Sequence, residues 1–295
     1  MSCLSGARSR ESSWDGLMPV PLPASHQGRC RRSRRTLRGR RECLPWETLA
    51  AYPVEFAISV GIEPDPWQIE VLASDHPRKI LCCGRQTGKT TAIALLVAHR
   101  AITVPGSEIL IVAPAERQAK RLFRVAKLFW RKAGEPHGAV SDRLTGLELG
   151  NGSVIEAVAA VEHTTRGFSP TLLVVEEAAF MPSGVYYQLQ GSTVRTAGEE
   201  ILLSTVGFED GFFYDVWSGE EDWHRVQIRS DEMPHHISPE QLERRRLRMP
   251  REFFEAEYLC KFLETTGSLF GYDDIKMALA AGEDIQAIEI GDDEW

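Results

Sequence analysis

The octapeptide Cys83-Gly84-Arg85-Gln86-Thr87-Gly88-Lys89-Thr90 has the residue types needed to hold a phosphate chain. Backbone N–H groups of a tight loop, aimed with a helix N-terminus at anionic oxygens, form a ready anion site. Gly84 and Gly88 permit the turn and the close approach of ligand to backbone. Lys89 has the reach for β- and γ-phosphates, and Thr90 places a hydroxyl where Mg²⁺ would sit. Thr90 and Thr91 then open an apolar run, Ala92 to Leu96, suited to packing on a sheet. The match to G-x-x-x-x-G-K-[ST] is imperfect. Cys83 stands where the pattern has its first glycine, and Gly84 comes one place late.

Phosphoryl transfer needs a partner carboxylate for the metal and a group that orients the attacking water. Leu172-Leu173-Val174-Val175-Glu176-Glu177 supplies two acids at the end of an apolar strand, expected to lie beside the phosphate-loop strand. Glu176 is assigned to the metal and Glu177 to the water. Asp is usual at the first position, so Glu176 is a departure whose longer arm must still fit a water-bridged ion. Other chemistry-bearing types give less. Cys3, Cys30, Cys43, Cys82, Cys83 and Cys260 show no metal-ligand spacing and are read as reduced thiols. His235 and His236 have no Cys or acid at zinc spacing and are read as loop residues.

These residues need a scaffold, and the apolar pattern supplies one. Strands are expected at Arg78 to Cys83, Glu108 to Ala113, Leu172 to Glu176, Ile201 to Ser204 and His224 to Ile228. A hairpin is signalled by Asn151-Gly152 between Leu147 to Leu149 and Ser153 to Ala157. Helices are expected from Trp46 to Val60, from Pro64 to Ala73, from Gly88 to Ala101, from Glu116 to Lys132, from Pro239 to Arg248 and from Glu252 to Leu263. Short, fully apolar strands separated by helices imply an α/β fold with a mainly parallel central sheet covered by helices on both faces. In the helix from Glu116, Ala119, Leu122, Phe123, Ala126, Phe129 and Trp130 form an apolar stripe. The opposite face carries Arg117, Lys120, Arg121, Arg124, Lys127 and Arg131, read as a solvated face in preference to a phosphate-binding one. The run Glu243 to Arg248 carries the same ambiguity.

Hydrophobic residues at 43% and charged residues at 26% of 295 place the chain among globular proteins with ample core. No apolar stretch approaches the roughly 20 residues of a membrane span, and the start shows no secretion signal. The net charge is −8, yet residues 1–43 hold ten arginines against three acids. That segment lacks periodicity and is read as disordered: a basic arm for nucleic acid, or, favoured, a non-functional extension. The acidic remainder limits any nucleic-acid contact to local basic patches.

The ordered set of motifs resembles the ATPase domain of the large terminase subunit of tailed bacteriophages, over about residues 45–270. Gly84-Arg85-Gln86-Thr87-Gly88-Lys89-Thr90 resembles that family's deviant Walker A loop, in which an Arg-Gln pair makes the displaced glycine ordinary. Asp65-Pro66-Trp67-Gln68 resembles its adenine-reading segment. Ile111 to Pro114 with Gln118 resembles its second strand and following helix, and Thr165 to Pro170 its Arg-Gly stretch. Glu176 to Phe180 resembles its Asp-Glu-x-Ala-Phe, Leu203-Ser204-Thr205 its coupling motif, and Phe254 to Phe262 followed by Gly267-Ser268-Leu269-Phe270 the end of its ATPase domain.

The resemblance implies a P-loop NTPase fold of the ASCE type, with residues 44–265 as the ATPase domain and 266–295 as an acidic tail or linker. It implies ATP and Mg²⁺ as cofactors, bound by Gln68 at the adenine edge, by Gly84, Arg85, Gln86, Thr87, Gly88, Lys89, Thr90 and Thr91 at the phosphates, and by Thr90 and Glu176 at the metal. Arg85 would sense the γ-phosphate in cis, Arg166 would act as an arginine finger in a neighbouring subunit, and Ser204 and Thr205 would relay the nucleotide state. The implied partners are double-stranded DNA, a homo-oligomeric ring of the chain, the small terminase subunit and the portal protein, in the cytoplasm of a bacterial host. The nuclease domain that follows in that family would begin where this chain stops, so no nuclease activity is expected of it. The competing readings are a superfamily-2-type helicase and a non-catalytic prophage remnant.

Overall fold

A computed structural model of the protein describes residues 52–161, 165 and 167–264. The segments expected to be a basic arm and an acidic tail, the start of the first helix, and Arg166 lie outside the described residues. The chain runs α1 (Pro53–Ser59), α2 (Pro66–Ala73), β1 (Arg78–Cys83), α3 (Lys89–Thr103), β2 (Glu108–Ala113) and α4 (Glu116–Lys132). It continues through β3 (Ala139–Asp142), β4 (Gly146–Leu149), β5 (Val154–Ala159), β6 (Leu172–Glu176), α5 (Ser183–Thr193) and β7 (Glu199–Ser204). It closes with α6 (Gly211–Ser218), β8 (His224–Ile228), α7 (Pro239–Arg246) and α8 (Arg251–Leu259).

The eight strands form one sheet in the order β3-β4-β5-β2-β6-β7-β1-β8. From β5 to β8 every pairing is parallel, and β3 and β4 extend the sheet antiparallel. The alternation of side chains along a strand divides the apolar runs between two cores. Leu81 and Cys83, Ile109 and Ile111, and Leu172 and Val174 face the core made with α1 to α4. Ile80 and Cys82, Leu110 and Val112, and Leu173 and Val175 face the core built with α5, α6 and Ala256 of α8. This is why the central strands read as continuous apolar runs: both faces are buried. The stripe of α4 lies in the first core, with all six of its residues buried.

Three features depart from the sequence reading. β6 does not lie beside β1. β7 separates them and pairs parallel with both, Leu203 opposite Leu81 on one side and Glu176 on the other. An apolar run records that a strand is buried, not which strand flanks it. Second, α8 ends at Leu259, where Cys260 takes the left-handed conformation (φ 56°), and Leu263 then bridges to Phe208. Third, β3, α5 and α6 carry weak local signals. β3 is an edge strand of mostly exposed residues, and α5 contains two glycines and is fixed by burial of Val185, Tyr186 and Leu189. Among the described residues no helix is long and apolar enough to cross a membrane.

Candidate nucleotide site

The loop after β1 is fastened before it turns. Gly84 N donates to Ile228 O at 2.8 Å and Arg85 N to Glu257 O at 2.8 Å, so β8 and α8 grip the two residues in succession. A Cβ on Gly84 would lie 2.5 Å from Ser230 Oγ, 2.6 Å from Tyr258 O and 2.9 Å from Ser230 N. The position must be glycine. Cys83, one place earlier, points into the core and is fully buried, so a side chain is accommodated there. This is the physical reason for the displaced glycine. Burial pushes the Cys83 thiol up to about 12, as expected of a packing residue.

Gln86 takes a left-handed conformation (φ 62°). Thr87, itself buried, donates its hydroxyl to Gly84 O at 2.9 Å across the turn. Gly88 (φ 89°) caps α3, whose first helical residue is Lys89. Gln68 Nε2 donates to Gly88 O at 3.2 Å, and a Cβ on Gly88 would meet that nitrogen at 2.6 Å. The early amides of α3, with Thr90 and Thr91 in its first turn, thus face the loop.

The acids arrive from β6. Glu176 is its last residue, and Glu177 adopts a left-handed conformation (φ 54°) that turns the chain into a short 3₁₀ segment, Ala178–Phe180. Lys89 Nζ lies 3.0 Å from Glu177 Oε1, and Thr90 Oγ1 donates to Glu176 Oε1 at 3.2 Å. Ser204, at the end of the intervening β7, donates to Glu177 Oε2 at 3.4 Å. Burial works against the Lys89 ammonium, but the charge and hydrogen bond of Glu177, together with Cys83 and the charge of Glu176, hold its pKa above the ordinary value. Glu176 is only 4% exposed. Its burial, and next the charge of Glu177, push its carboxyl up to about 7 against the pull of Lys89 and Thr90. Glu176 Oε2 is buried with no hydrogen-bond partner among the described residues. A buried carboxylate oxygen lacking a partner, beside a threonine hydroxyl, is a hard-oxygen donor set that fits Mg²⁺.

Residues 80–277 match the family described as terminase large subunit, T4likevirus-type, N-terminal. The chain belongs to this family. It is 25% identical over 257 residues to the large terminase subunit of Thermus virus P23-45, covering 75% of this chain and 53% of that protein, so it spans about half the length of this curated relative. The large terminase ATPase domain of Thermus phage P74-26 superposes with a TM-score of 0.64 at 23% identity, covering 72% of this chain and 99% of that one. The large terminase of a thermophilic bacteriophage, in complex with ADP, gives 0.56 at 13% identity, over 72% of this chain and 53% of that one. The fold is that of the terminase ATPase domain, an α/β P-loop fold with a mostly parallel sheet flanked by helices.

In this terminase chain the structure brings Gln68, the loop from Gly84 to Thr91, Glu176, Glu177 and Ser204 into one place. Thr205 is buried just beyond the end of β7. Arg85 is half-exposed, with its guanidinium on Glu257. Of the basic face of α4, Lys127 and Arg131 pair with Asp142, and Lys120 pairs with Glu116. The sequence reading did not single out Glu257 and Ser230, which lie 172 and 145 residues from Arg85 along the chain. It also found no acidic partner for His235 and His236, and the structure supplies one: Asp65 sits 2.6 Å from His235 Nε2 and 2.8 Å from His236 Nε2.

Proposed function

We propose that the chain hydrolyses ATP to drive double-stranded DNA into a phage procapsid, as the motor part of a large terminase, with residues 44–265 as its ATPase domain. Its setting is the cytoplasm of a bacterial host. Its partners are further copies of itself in a ring, the small terminase subunit and the portal protein. The observation that carries this reading is the meeting of Lys89, Thr90, Glu176 and Glu177 at the mouth of a glycine-gated loop, in a chain of the terminase family.

In this reading Gln68 holds the adenine edge, and Gly84, Arg85, Gln86, Thr87, Gly88, Lys89, Thr90 and Thr91 surround the phosphates. Lys89 exchanges its bond to Glu177 for one to the γ-phosphate. That frees a Glu177 oxygen to accept a proton from water aligned with the γ-phosphate, while Ser204 keeps the other oxygen oriented. Thr90 and Glu176 hold Mg²⁺, which supplies charge neutralisation of the phosphates. Arg85 is poised to leave Glu257 for the γ-phosphate, and Arg166 to complete a neighbour's site. Ser204, the last residue of the strand between the phosphate loop and the acids, and Thr205 just beyond it pass the nucleotide state onward.

Steady-state ATP turnover against protein concentration tests this reading, with Lys89→Ala and Arg166→Ala as variants. Turnover should rise with assembly, vanish in Lys89→Ala, and fall by about 10³–10⁵ in Arg166→Ala at assembling concentrations, the range a finger contributes. Parent-like hydrolysis by Lys89→Ala would overturn the site. Concentration-independent turnover that survives Arg166→Ala would remove the finger.

A further inference from the structure

Among the described residues, one cluster of metal-ligating side chains lies outside the phosphate and magnesium chemistry. Asp65, His235 and His236 each present one ligand atom, and these atoms all lie within 4.8 Å of one another. His235 Nε2 faces Asp65 Oδ1 at 2.6 Å and His236 Nε2 faces Oδ2 at 2.8 Å, with the imidazole centroids 4.5 Å apart. We propose that Asp65, His235 and His236 form a three-ligand site for a divalent transition cation of the zinc class, which ties the loop after β8 to the N-terminus of α2.

Both sides of the cluster are built before any cation arrives. Asp65 is the N-cap of α2, set between Pro64 and Pro66, and its backbone N donates to Gln68 Oε1 at 3.0 Å. The histidines sit between Met233 and Ile237, both buried, and the turn is closed by His236 N to Met233 O at 2.9 Å and Ile237 N to Met233 O at 3.1 Å. Two imidazole nitrogens and one carboxylate are a donor set for zinc, nickel or cobalt; magnesium favours all-oxygen sites. A tetrahedral ion with bonds of about 2.0–2.1 Å separates its donors by roughly 3.4 Å. With Oδ1 as the single carboxylate donor, its 2.6 Å separation from His235 Nε2 opens by roughly 0.8 Å and His236 Nε2 turns from Oδ2 to the same ion, movements open to histidine side chains that are 57% and 35% exposed. On binding, each imidazole would give up the Nε2 proton it shares with Asp65, keep one on Nδ1 and turn a bare Nε2 to the cation, while the ionised carboxylate offsets half of the cation's charge. The fourth position opens to solvent, as in sites with three protein ligands and a water.

The place gives such an ion a consequence. Gln68, three residues beyond Asp65, rests on the phosphate loop at Gly88 O. His236 Nε2 would stand 3.8 Å from a Cβ on Gly88. A cation here stiffens one wall of the nucleotide site without touching phosphate. The proposal does not depend on ATP hydrolysis, because its test contains no nucleotide.

The experiment titrates Co²⁺, then Zn²⁺, into the chelator-treated, dialysed full chain without nucleotide or Mg²⁺. Visible absorption follows the cobalt, calorimetry the zinc, and thermal midpoint the fold. The expected result is one saturating equivalent, the weak visible bands of low-symmetry cobalt, no thiolate charge-transfer band, and a raised midpoint. His235→Ala/His236→Ala, in an exposed loop, and Asp65→Asn, which keeps the size of the side chain and one oxygen, should keep the parent's far-ultraviolet circular dichroism. Each should bind at least as much more weakly as the roughly 10–100-fold lost with a supporting partner. No saturable binding by the parent, a thiolate band, or parent-like affinity in the double histidine variant would each overturn the proposal.

Discussion

Gly84→Ala is the sharpest test of why the phosphate loop carries its glycine one place late. The new Cβ would stand 2.5 Å from Ser230 Oγ, 2.6 Å from Tyr258 O and 2.9 Å from Ser230 N. Two of those atoms are backbone, on either side of the loop. The hydroxyl is committed too, donating to Arg85 O at 2.7 Å. The chain then has two responses. It can hold its place and absorb the overlap, which costs about 1–3 kcal/mol for overpacking of this kind. Or the loop can withdraw and release its bonds to Ile228 O and Glu257 O, each worth about 0.5–1.5 kcal/mol. Either route destabilises the fold by about 1–3 kcal/mol, and the second also moves the amides that face the phosphates. Urea unfolding measures the first quantity and nucleotide affinity the second. Ser230→Ala in the same background removes one contact of the three and should restore only part of the loss. Gly84→Ala with a midpoint and nucleotide affinity equal to the parent's would refute the steric account of the displaced glycine.

Three further outcomes follow from the same geometry. The folded-state pKa of Glu176, about 7, lies above its ordinary 4.5, so the native chain binds this proton more tightly than the unfolded one. The associated stability is fully present below about pH 4.5 and is lost as pH rises through about 7, amounting to about 2–3 kcal/mol between about pH 5 and about pH 8. Glu176→Gln should therefore gain on the parent by that amount across this range in urea unfolding with chelator, and parallel profiles would remove the assigned burial effect. Ser204→Ala removes the hydrogen bond to Glu177 Oε2 and should lower kcat about tenfold, a less well oriented carboxylate being a poorer base, with KM unchanged; a change confined to KM would contradict an orienting role. Gln68→Ala removes the bond to Gly88 O and the assigned adenine contact, so KM for ATP should rise with little change in KM for a nucleotide lacking the base; equal effects on both would place the role of Gln68 in the loop alone.

What the sequence disclosed was local. Lys89, Thr90 and the glycines lie within one turn of chain, and Glu176 ends a run whose burial is written in five consecutive residues. The stripe of α4 repeats at helical spacing, and all of it is buried. What stayed hidden was the pairing of distant segments. The order β6-β7-β1 depends on which crossover returns to which strand edge, and apolar runs are alike in that respect. Glu257 sits in a helix where an acid is ordinary, and only folding brings it to Arg85. Asp65 stands out in the sequence only through its segment with Gln68, and the acids nearest His235 and His236 along the chain, Asp231, Glu232 and Glu240, bond instead to Arg229 and Ser238; the partner comes from a distant segment.

The insertion of β7 between the loop strand and the acid strand has a mechanical consequence. Parallel strands present their carboxyl ends on one side of the sheet, so β1, β7 and β6 end side by side with Cys83, Ser204 and Glu176 as last residues. Glu177 is thereby held from two directions, by Lys89 and by Ser204, and a change in one bond is felt by the other. On the opposite flank the loop is gripped by Ile228, Ser230 and Glu257. Glu257 takes the backbone amide of Arg85 with its carbonyl and the guanidinium with its carboxylate. If Arg85 turns to a γ-phosphate, it surrenders the side-chain half of that grip and keeps the backbone half, so α8 is loosened without the loop losing its shape. The two flanks therefore answer different questions about the nucleotide. In the proposed motor, β7 and Glu177 would respond to where Lys89 is engaged, and α8 to whether a terminal phosphate holds Arg85.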